Sequence, residues 1–255
     1  MSHDQERDRL AAEWARAGGG FMAEPASYAI DLEQLVGRTA VAAPRDYRAL
    51  AVATTWITEH SQLVNVRRLG KVASKLDEIP AAILGAMIEI ANETNSAADR
   101  LKPAQRHCRP LREPRALFDR IEANPVLRKF AKEGALPTFK AWGLWQDEMT
   151  LKFDALRPVS WILEHCPELR LRALYGPGLE AEVMQVLERG SATIAAIARE
   201  VDASYSATHA AVARLEGRGS IVSQDGHGVE ISTPVRSWID GYPTVARKHR
   251  ARRAS

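Results

Sequence analysis

Hydrogen-bonding side chains are concentrated in residues 204–214, where the chain reads SYSATHAAVAR. Tyr205, Ser206 and His209 can each donate and accept hydrogen bonds, and the methyl group of Ala210 can make an apolar contact. These positions would meet on one side of a helix, because residues three and four apart are neighbours there. The grouping suits reversible recognition of a polar surface rather than covalent chemistry.

The residue types that carry out covalent or metal chemistry show no comparable pattern. Cys108 and Cys166 do not form a CxxC pair, and His60, His107 and His165 lack the spacing of metal ligands. Cys166 beside His165 could suggest a reactive thiol, but no third group that would orient the histidine is evident. Gly-rich phosphate loops, GxSxG and HExxH do not occur. The sequence therefore predicts no catalytic residue, no metal site and no cofactor.

A helix, a corner and a second helix are predicted to position the polar stretch. Residues 193–201 have the apolar spacing of a short amphipathic helix. Asp202 follows at the corner, where tight turns favour Asp, Asn or Gly. The Ser204 hydroxyl can cap the next helix, and Gly217 and Gly219 end that helix.

Two short strands are predicted after these helices. The segments SIVSQ (220–224) and GVEIST (228–233) flank the sequence Asp-Gly-His-Gly, which is a strong signal for a tight turn. A further amphipathic helix, LEAEVMQVLERG (179–190), precedes the pair of helices. The predicted order is helix, helix, corner, helix and hairpin.

This order resembles the winged helix-turn-helix of bacterial transcriptional regulators, such as the MarR-like and ArsR-like groups, over residues 179–232. The segment that carries the resemblance is IAAIAREVDASYSATHAAVARLEGRGSIV, from residue 194 to 222. The resemblance implies that residues 204–216 form a recognition helix in the major groove of double-stranded DNA, with its first turns against base edges. The implied DNA-contacting residues are Ser204, Tyr205, Ser206, His209, Ala210, Arg214 and, in the wing, His227.

The sequence departs from this family in its charge. The predicted recognition helix has no Arg or Lys in its first three turns, and Asp225 and His227 stand where wings often carry Arg. Because phosphate neutralisation supplies much of the affinity for DNA, the module alone is predicted to bind weakly. Two basic segments could add phosphate contacts: Arg247, Lys248, Arg250, Arg252 and Arg253 in the tail, and Arg106, Arg109, Arg112 and Arg115 in a Pro-rich connector.

Each basic segment also has a simpler interpretation. The tail can be a solvated end, with or without phosphate contacts. For the connector, we favour arginines that cap helices and pair with Glu113 and Asp119. Dimerisation would raise the affinity in another way, by doubling the contacts with DNA.

Helical periodicity runs through most of the chain before this module. The segment AAILGAMIEIANE (81–93) is apolar enough to be a buried helix. The predicted fold is mainly α, an N-terminal helical domain followed by a C-terminal winged helix-turn-helix with a short β-hairpin. Its predicted parts are a mobile N-terminal segment at 1–20, the helical domain at 21–170, the winged helix DNA-binding domain at 171–240 and the basic tail at 241–255. Trp56, Trp142, Trp145 and Trp161 are interpreted as core or interface anchors, with a ligand pocket at Trp142 and Trp145 as the alternative.

Bulk composition places weak limits on the partner. The formal net charge of +3 over 255 residues shows no global excess that would demand an anionic partner. The N-terminus lacks the apolar core of a signal peptide, and no run approaches the roughly 18 apolar residues of a membrane span. These features predict a cytoplasmic protein without a membrane partner.

The functional prediction is a DNA-binding transcriptional regulator that acts as a homodimer and is not an enzyme. An antitoxin-like autoregulator, which would bind its own operator and a protein partner, is one concrete version. The alternative is a protein-interaction adaptor whose winged helix binds a protein partner, and an enzyme with an unfamiliar helical active site is a third. The polar face at 205–210 discriminates, because an adaptor would expose apolar residues there.

Overall fold

The protein, described here by a computed structural model, is mainly helical with two small sheets, and the structure describes residues 3–224, 228–232 and 235–236. The chain forms two compact units, residues 1–162 and 163–255. The boundary falls earlier than the one expected after residue 170. The mainly α class is confirmed.

The first unit is an assembly of helices with one very short parallel sheet. Its sheet pairs β1 (Arg115–Ala116) with β2 (Leu144–Trp145). Its 3-10 turns are Ser61–Leu63, Ser96–Leu101 and Phe153–Ala155. The helices are α1 His3–Arg16, α2 Leu32–Ala42, α3 Tyr47–Glu59, α4 Val66–Ala73, α5 Glu78–Thr94, α6 Lys102–Gln105, α7 Asp119–Glu122, α8 Pro125–Gly134 and α9 Pro137–Ala141, and α10 Val159–His165 crosses the unit boundary.

The apolar helix predicted at 81–93 is α5, the central helix of the first unit. Residues 81–88 are buried all around the helix, and α5 packs against α2 and α3. Gly85 admits the ring of Trp142, since a Cβ atom there would lie 2.2 Å from Trp142 Cζ3. The half-buried Trp142 therefore packs directly on the central helix.

Helix α1 differs from the expected mobile segment at residues 1–20. Leu10, Trp14 and Ala17 are buried, and the Trp14 ring lies 6.0 Å from that of Trp56. Trp14 Nε1 donates a hydrogen bond to Thr39 Oγ1 at 2.9 Å. The segment is mostly polar, so its few apolar residues did not predict a buried face. That face nevertheless contributes to the core of the first unit.

His60 is a buried imidazole at the end of α3. It is 4% exposed, its ring meets Trp56 edge-on at 5.1 Å, and its Nε2 atom has no hydrogen-bond partner among the described residues. Burial lowers the pKa of His60, and the Glu59 carboxylate opposes this shift only in part. The folded protein therefore holds His60 in its neutral form near neutral pH.

We predict that the first unit loses stability on mild acidification because of His60. The unfolded chain takes up the proton near pH 6.5, whereas the folded chain, with its lower pKa, resists it. This stability is present above the unfolded pKa and is lost as the pH falls toward the folded pKa, at no more than about 1.4 kcal/mol per pH unit. Urea unfolding at several pH values should show that the free energy of unfolding of His60→Phe depends less on pH than that of the wild type. His209→Gln, at an exposed position of the second unit, is the control. Identical curves of unfolding free energy against pH for the wild type and His60→Phe would contradict the prediction.

The second unit contains the predicted helix-and-hairpin order. Its helices are α11 Pro167–Tyr175, α12 Leu179–Glu188, α13 Ile194–Glu200 and α14 Tyr205–Gly217, and its strands β3 Ile221–Gln224 and β4 Gly228–Ile231 pair antiparallel. Side chains from all three helices α12 to α14 and from both strands form one core, which includes Val183, Leu187, Ile197, Val212, Leu215, Ile221 and Val229.

Candidate nucleic-acid interface

Side-chain caps and a left-handed corner fix the pair of helices α13 and α14. Thr193 Oγ1 accepts a hydrogen bond from the first turn of α13, and Ser204 Oγ accepts one from Ala207 N at 3.2 Å. Asp202 has φ 50°, and Ala203 N donates to Ala198 O at 3.0 Å across the corner. The predicted corner at Asp202 and the predicted cap at Ser204 are confirmed.

Helix α14 has one buried side and one exposed side. Thr208, Ala211, Val212 and Leu215 are buried against the core of the second unit. The opposite side is exposed and begins at the capped amino end. We call five of the exposed residues the α14 strip: Tyr205, Ser206, His209, Ala210 and Ala213.

The α14 strip is polar but carries no formal charge when His209 is neutral. Tyr205 is 58% exposed, and its ring lies 6.2 Å from the ring of His209 at an angle of 31°. The two rings therefore form one small exposed aromatic surface beside the Ser206 hydroxyl. The strip offers hydrogen-bond donors and acceptors, this aromatic surface and two methyl groups.

The cationic residues at the far end of α14 are paired. Arg214 Nε lies 2.5 Å from Glu180 Oε1, and Arg218 Nη1 lies 2.6 Å from Glu180 Oε2. The Glu180 side chain, on α12, is only 12% exposed. One carboxylate thus holds both guanidinium groups. The role of Glu180 could not be predicted from the sequence, because a partner 34 residues away leaves no local signal.

The hairpin is joined to the segment before α13 by a third, single-residue strand. Ala192 N donates to Val229 O at 3.1 Å, and Val229 N donates to Ala192 O at 2.9 Å. Gly228 has φ +99°, and a Cβ atom there would lie 2.6 Å from Ala192 O. This bridge fixes β4 beside the amino end of α13. The bridge could not be predicted from the sequence, because a single paired residue has no periodic pattern.

Six of the predicted site residues lie on or at the cap of α14: Ser204, Tyr205, Ser206, His209, Ala210 and Arg214. Five of them lie within the first two turns or the cap, whereas Arg214 is held by Glu180 near the other end. The remaining predicted residues, His227, Arg247, Lys248, Arg250, Arg252 and Arg253, lie outside the described residues.

Reactive groups elsewhere in the described part of the chain are few. Burial raises the pKa of Cys108 to about 12, so its thiolate does not form near neutral pH. Cys166 is also buried. Within residues 3–224, 228–232 and 235–236, no three His, Cys, Asp or Glu side chains are grouped as metal ligands. None of the described helices combines the length and apolar character needed to cross a membrane.

No protein-family model, curated protein or solved structure matches the chain. A functional assignment therefore depends on the arrangement of the α14 strip, its flanking charges and the hairpin.

We predict that Gly228→Ala destabilises the second unit by about 1–3 kcal/mol, because the new methyl group meets the backbone of Ala192 at a strained φ. Gly217→Ala is the matched control. No described atom lies within 4 Å of a Cβ atom at Gly217, so this change should leave stability unchanged or raise it by up to about 1 kcal/mol. Urea unfolding followed by circular dichroism measures both. Equal midpoints for the two variants would show that β4 does not seat on Ala192.

Proposed function

We propose that residues 179–232 form a winged helix-turn-helix and that the protein is a transcriptional regulator that binds double-stranded DNA. The observation that carries the proposal is the α14 strip, a row of exposed hydrogen-bonding side chains that starts at a capped helix end. Helix α14 projects this strip from a helix–corner–helix unit, and an α-helix fits the width of the major groove.

The chemistry of the strip suits base edges. Ser206 and His209 can exchange hydrogen bonds with bases in the major groove, and Ala210 can contact the methyl group of thymine. Tyr205, at the first position of α14, can reach a phosphate, and the free amide groups of the first turn attract the same group. Base readout and backbone positioning would thus occupy neighbouring residues of one helix.

The charges around the strip favour low affinity for a single module. The strip carries no Arg or Lys, and Glu180 neutralises part of the charge of Arg214 and Arg218. We propose that a homodimer doubles the contacts, with half-sites about one helical turn, or 34–36 Å, apart. The basic tail at 247–253 is proposed to add contacts that carry no sequence information.

The absence of cations from the strip favours the alternative function, a protein-interaction adaptor, whereas the polar character of residues 205–210 favours DNA. Proteins that bind DNA usually present cations at the contact surface, and α14 instead presents a ring, a hydroxyl group and methyl groups. A protein partner could use this surface without phosphate contacts. Duplex binding that depends on sequence and on salt separates the two functions.

We predict that Ser206→Ala and His209→Ala reduce sequence discrimination. A preferred duplex would first be selected from a random library by the wild-type protein. Each variant should then lose about 1–3 kcal/mol of affinity for the selected duplex and much less for a scrambled duplex, because base-edge contacts are removed. Fluorescence anisotropy at fixed salt measures both affinities.

The control for this pair is Ser96→Ala, an exposed serine of the first unit. Its affinity for both duplexes should equal that of the wild type. Equal losses on the selected and scrambled duplexes in the α14 variants would show that these residues touch only the backbone. The absence of any duplex binding by the wild type at low salt would favour the adaptor.

We predict that Glu180→Gln strengthens binding to all duplexes, because it releases the guanidinium groups of Arg214 and Arg218. The slope of log K against log salt should steepen by about 0.9 for each arginine that reaches a phosphate. Glu24→Gln is the control, since it makes the same change in net charge at an exposed position of the first unit. An unchanged affinity and slope in Glu180→Gln would mean that this end of α14 does not approach DNA.

A further inference from the structure

A concave, positively charged cleft lies within the first unit, remote in sequence from α14. It has a volume of about 530 Å³ and is formed by the end of α4, the start of α5 and the chain that follows α6. A second cavity of about 400 Å³ is lined in part by the same two residues, Ser74 and His107. The charged and protonatable side chains that line the larger cleft are Arg106, His107, Arg109, Arg112 and Glu78.

Three arginines of the cleft are exposed and are not consumed by ion pairs. Arg106, Arg109 and Arg112 form no salt bridge with any described residue. Arg115 behaves differently, because its Nη2 atom lies 2.9 Å from Asp119 Oδ1. The predicted pairing of connector arginines with acidic residues therefore holds for Arg115 and fails for the three that line the cleft.

The single carboxylate among the described lining residues, that of Glu78, accepts a hydrogen bond from the backbone. Glu78 Oε1 accepts a hydrogen bond from the backbone N–H of Arg112 at 3.2 Å, which ties the connector to the start of α5. Three guanidinium groups and one carboxylate leave a net charge of +2 in the cleft when His107 is neutral. Because the hydrogen bond uses the backbone of Arg112, it does not occupy that side chain.

Close packing of α4 holds His107 at the wall of the cleft. A Cβ atom at Gly70 would lie 3.0 Å from His107 Cδ2, so the glycine lets the imidazole approach the helix. The Ser74 hydroxyl, one turn further along, also lines the cleft and donates to Lys71 O at 2.9 Å. The cleft therefore combines the imidazole group of His107 and the hydroxyl group of Ser74 with three guanidinium groups.

We propose that this cleft binds a small anion with two linked phosphate groups. Arginine pairs bidentately with phosphate through its planar guanidinium group, and the net charge of +2 offsets much of the charge of such an anion. The volume falls within the range of about 300–1,000 Å³ for small-ligand sites. None of the described lining residues is Phe, Tyr or Trp, so the cleft lacks the stacking surface that single-stranded nucleic acids use. This site does not depend on the proposed function of α14.

Titration calorimetry of the full chain with inorganic pyrophosphate tests the proposal. We expect saturable one-to-one binding at low salt, with weaker binding of orthophosphate. Arg106→Gln and Arg109→Gln should each weaken pyrophosphate binding by about tenfold or more, because each removes a charge-assisted hydrogen-bonding group. Arg120→Gln, an exposed arginine that does not line the cleft, is the matched control and should bind as the wild type does.

Two results would overturn the proposal. One is the absence of saturable pyrophosphate binding by a wild-type protein whose thermal melting curve shows it to be folded. The other is equal weakening in Arg120→Gln, which would indicate only a general charge effect. Duplex DNA is the third titrant. If the wild type does not bind pyrophosphate and Arg106→Gln no longer binds the duplex, the arginines would be assigned to nucleic acid instead. Unchanged melting curves for the variants establish that each loss is local.

Discussion

The buried side of α14 is the constraint on which the candidate interface depends. Thr208, Val212 and Leu215 pack in the core of the second unit, and the Thr208 hydroxyl donates to Ser204 O at 3.0 Å. With this side fixed, helical geometry leaves the α14 strip no direction except outward. The same packing seats α14 against α12 and α13 and places its end beside β3. A ligand that binds the α14 strip therefore contacts a packed helix rather than a loop.

The two candidate sites, the α14 strip and the cleft of the first unit, differ in charge. The α14 strip can distinguish one partner from another through hydrogen bonds, but it offers little long-range attraction because Glu180 holds the nearest arginines. The cleft of the first unit differs, because three exposed arginines give it a net positive charge. We propose that these are separate sites for separate ligands, since one is a convex helix face and the other a concave cavity.

The turns, caps and helix ends of the second unit could be predicted from neighbouring residues. Contacts between residues far apart in sequence could not. The left-handed Asp202, the Ser204 cap and the end of α14 before the left-handed Gly219 each follow from one residue type in its immediate context. The Ala192–Val229 bridge and the Glu180 ion pairs join residues far apart in sequence, so no local pattern announces them. The same reason explains α1, whose burial depends on Trp56 and Thr39 of other helices. The cleft also arises from three separate segments, although its arginines were visible as a basic connector.

Site-directed cleavage of DNA from the α14 strip tests the central claim most directly. Ala210→Cys would place one exposed thiol on the strip, and the buried Cys108 and Cys166 should not compete for a thiol-reactive iron chelate. The tethered chelate cleaves nearby deoxyribose, so the cleaved positions on a selected duplex map the position of the helix. Major-groove binding by α14 predicts strong cleavage confined to the two strands that border one major-groove segment in each half-site. Uniform weak cleavage along a duplex that the protein nevertheless binds, or cleavage confined to a single minor-groove segment, would contradict it.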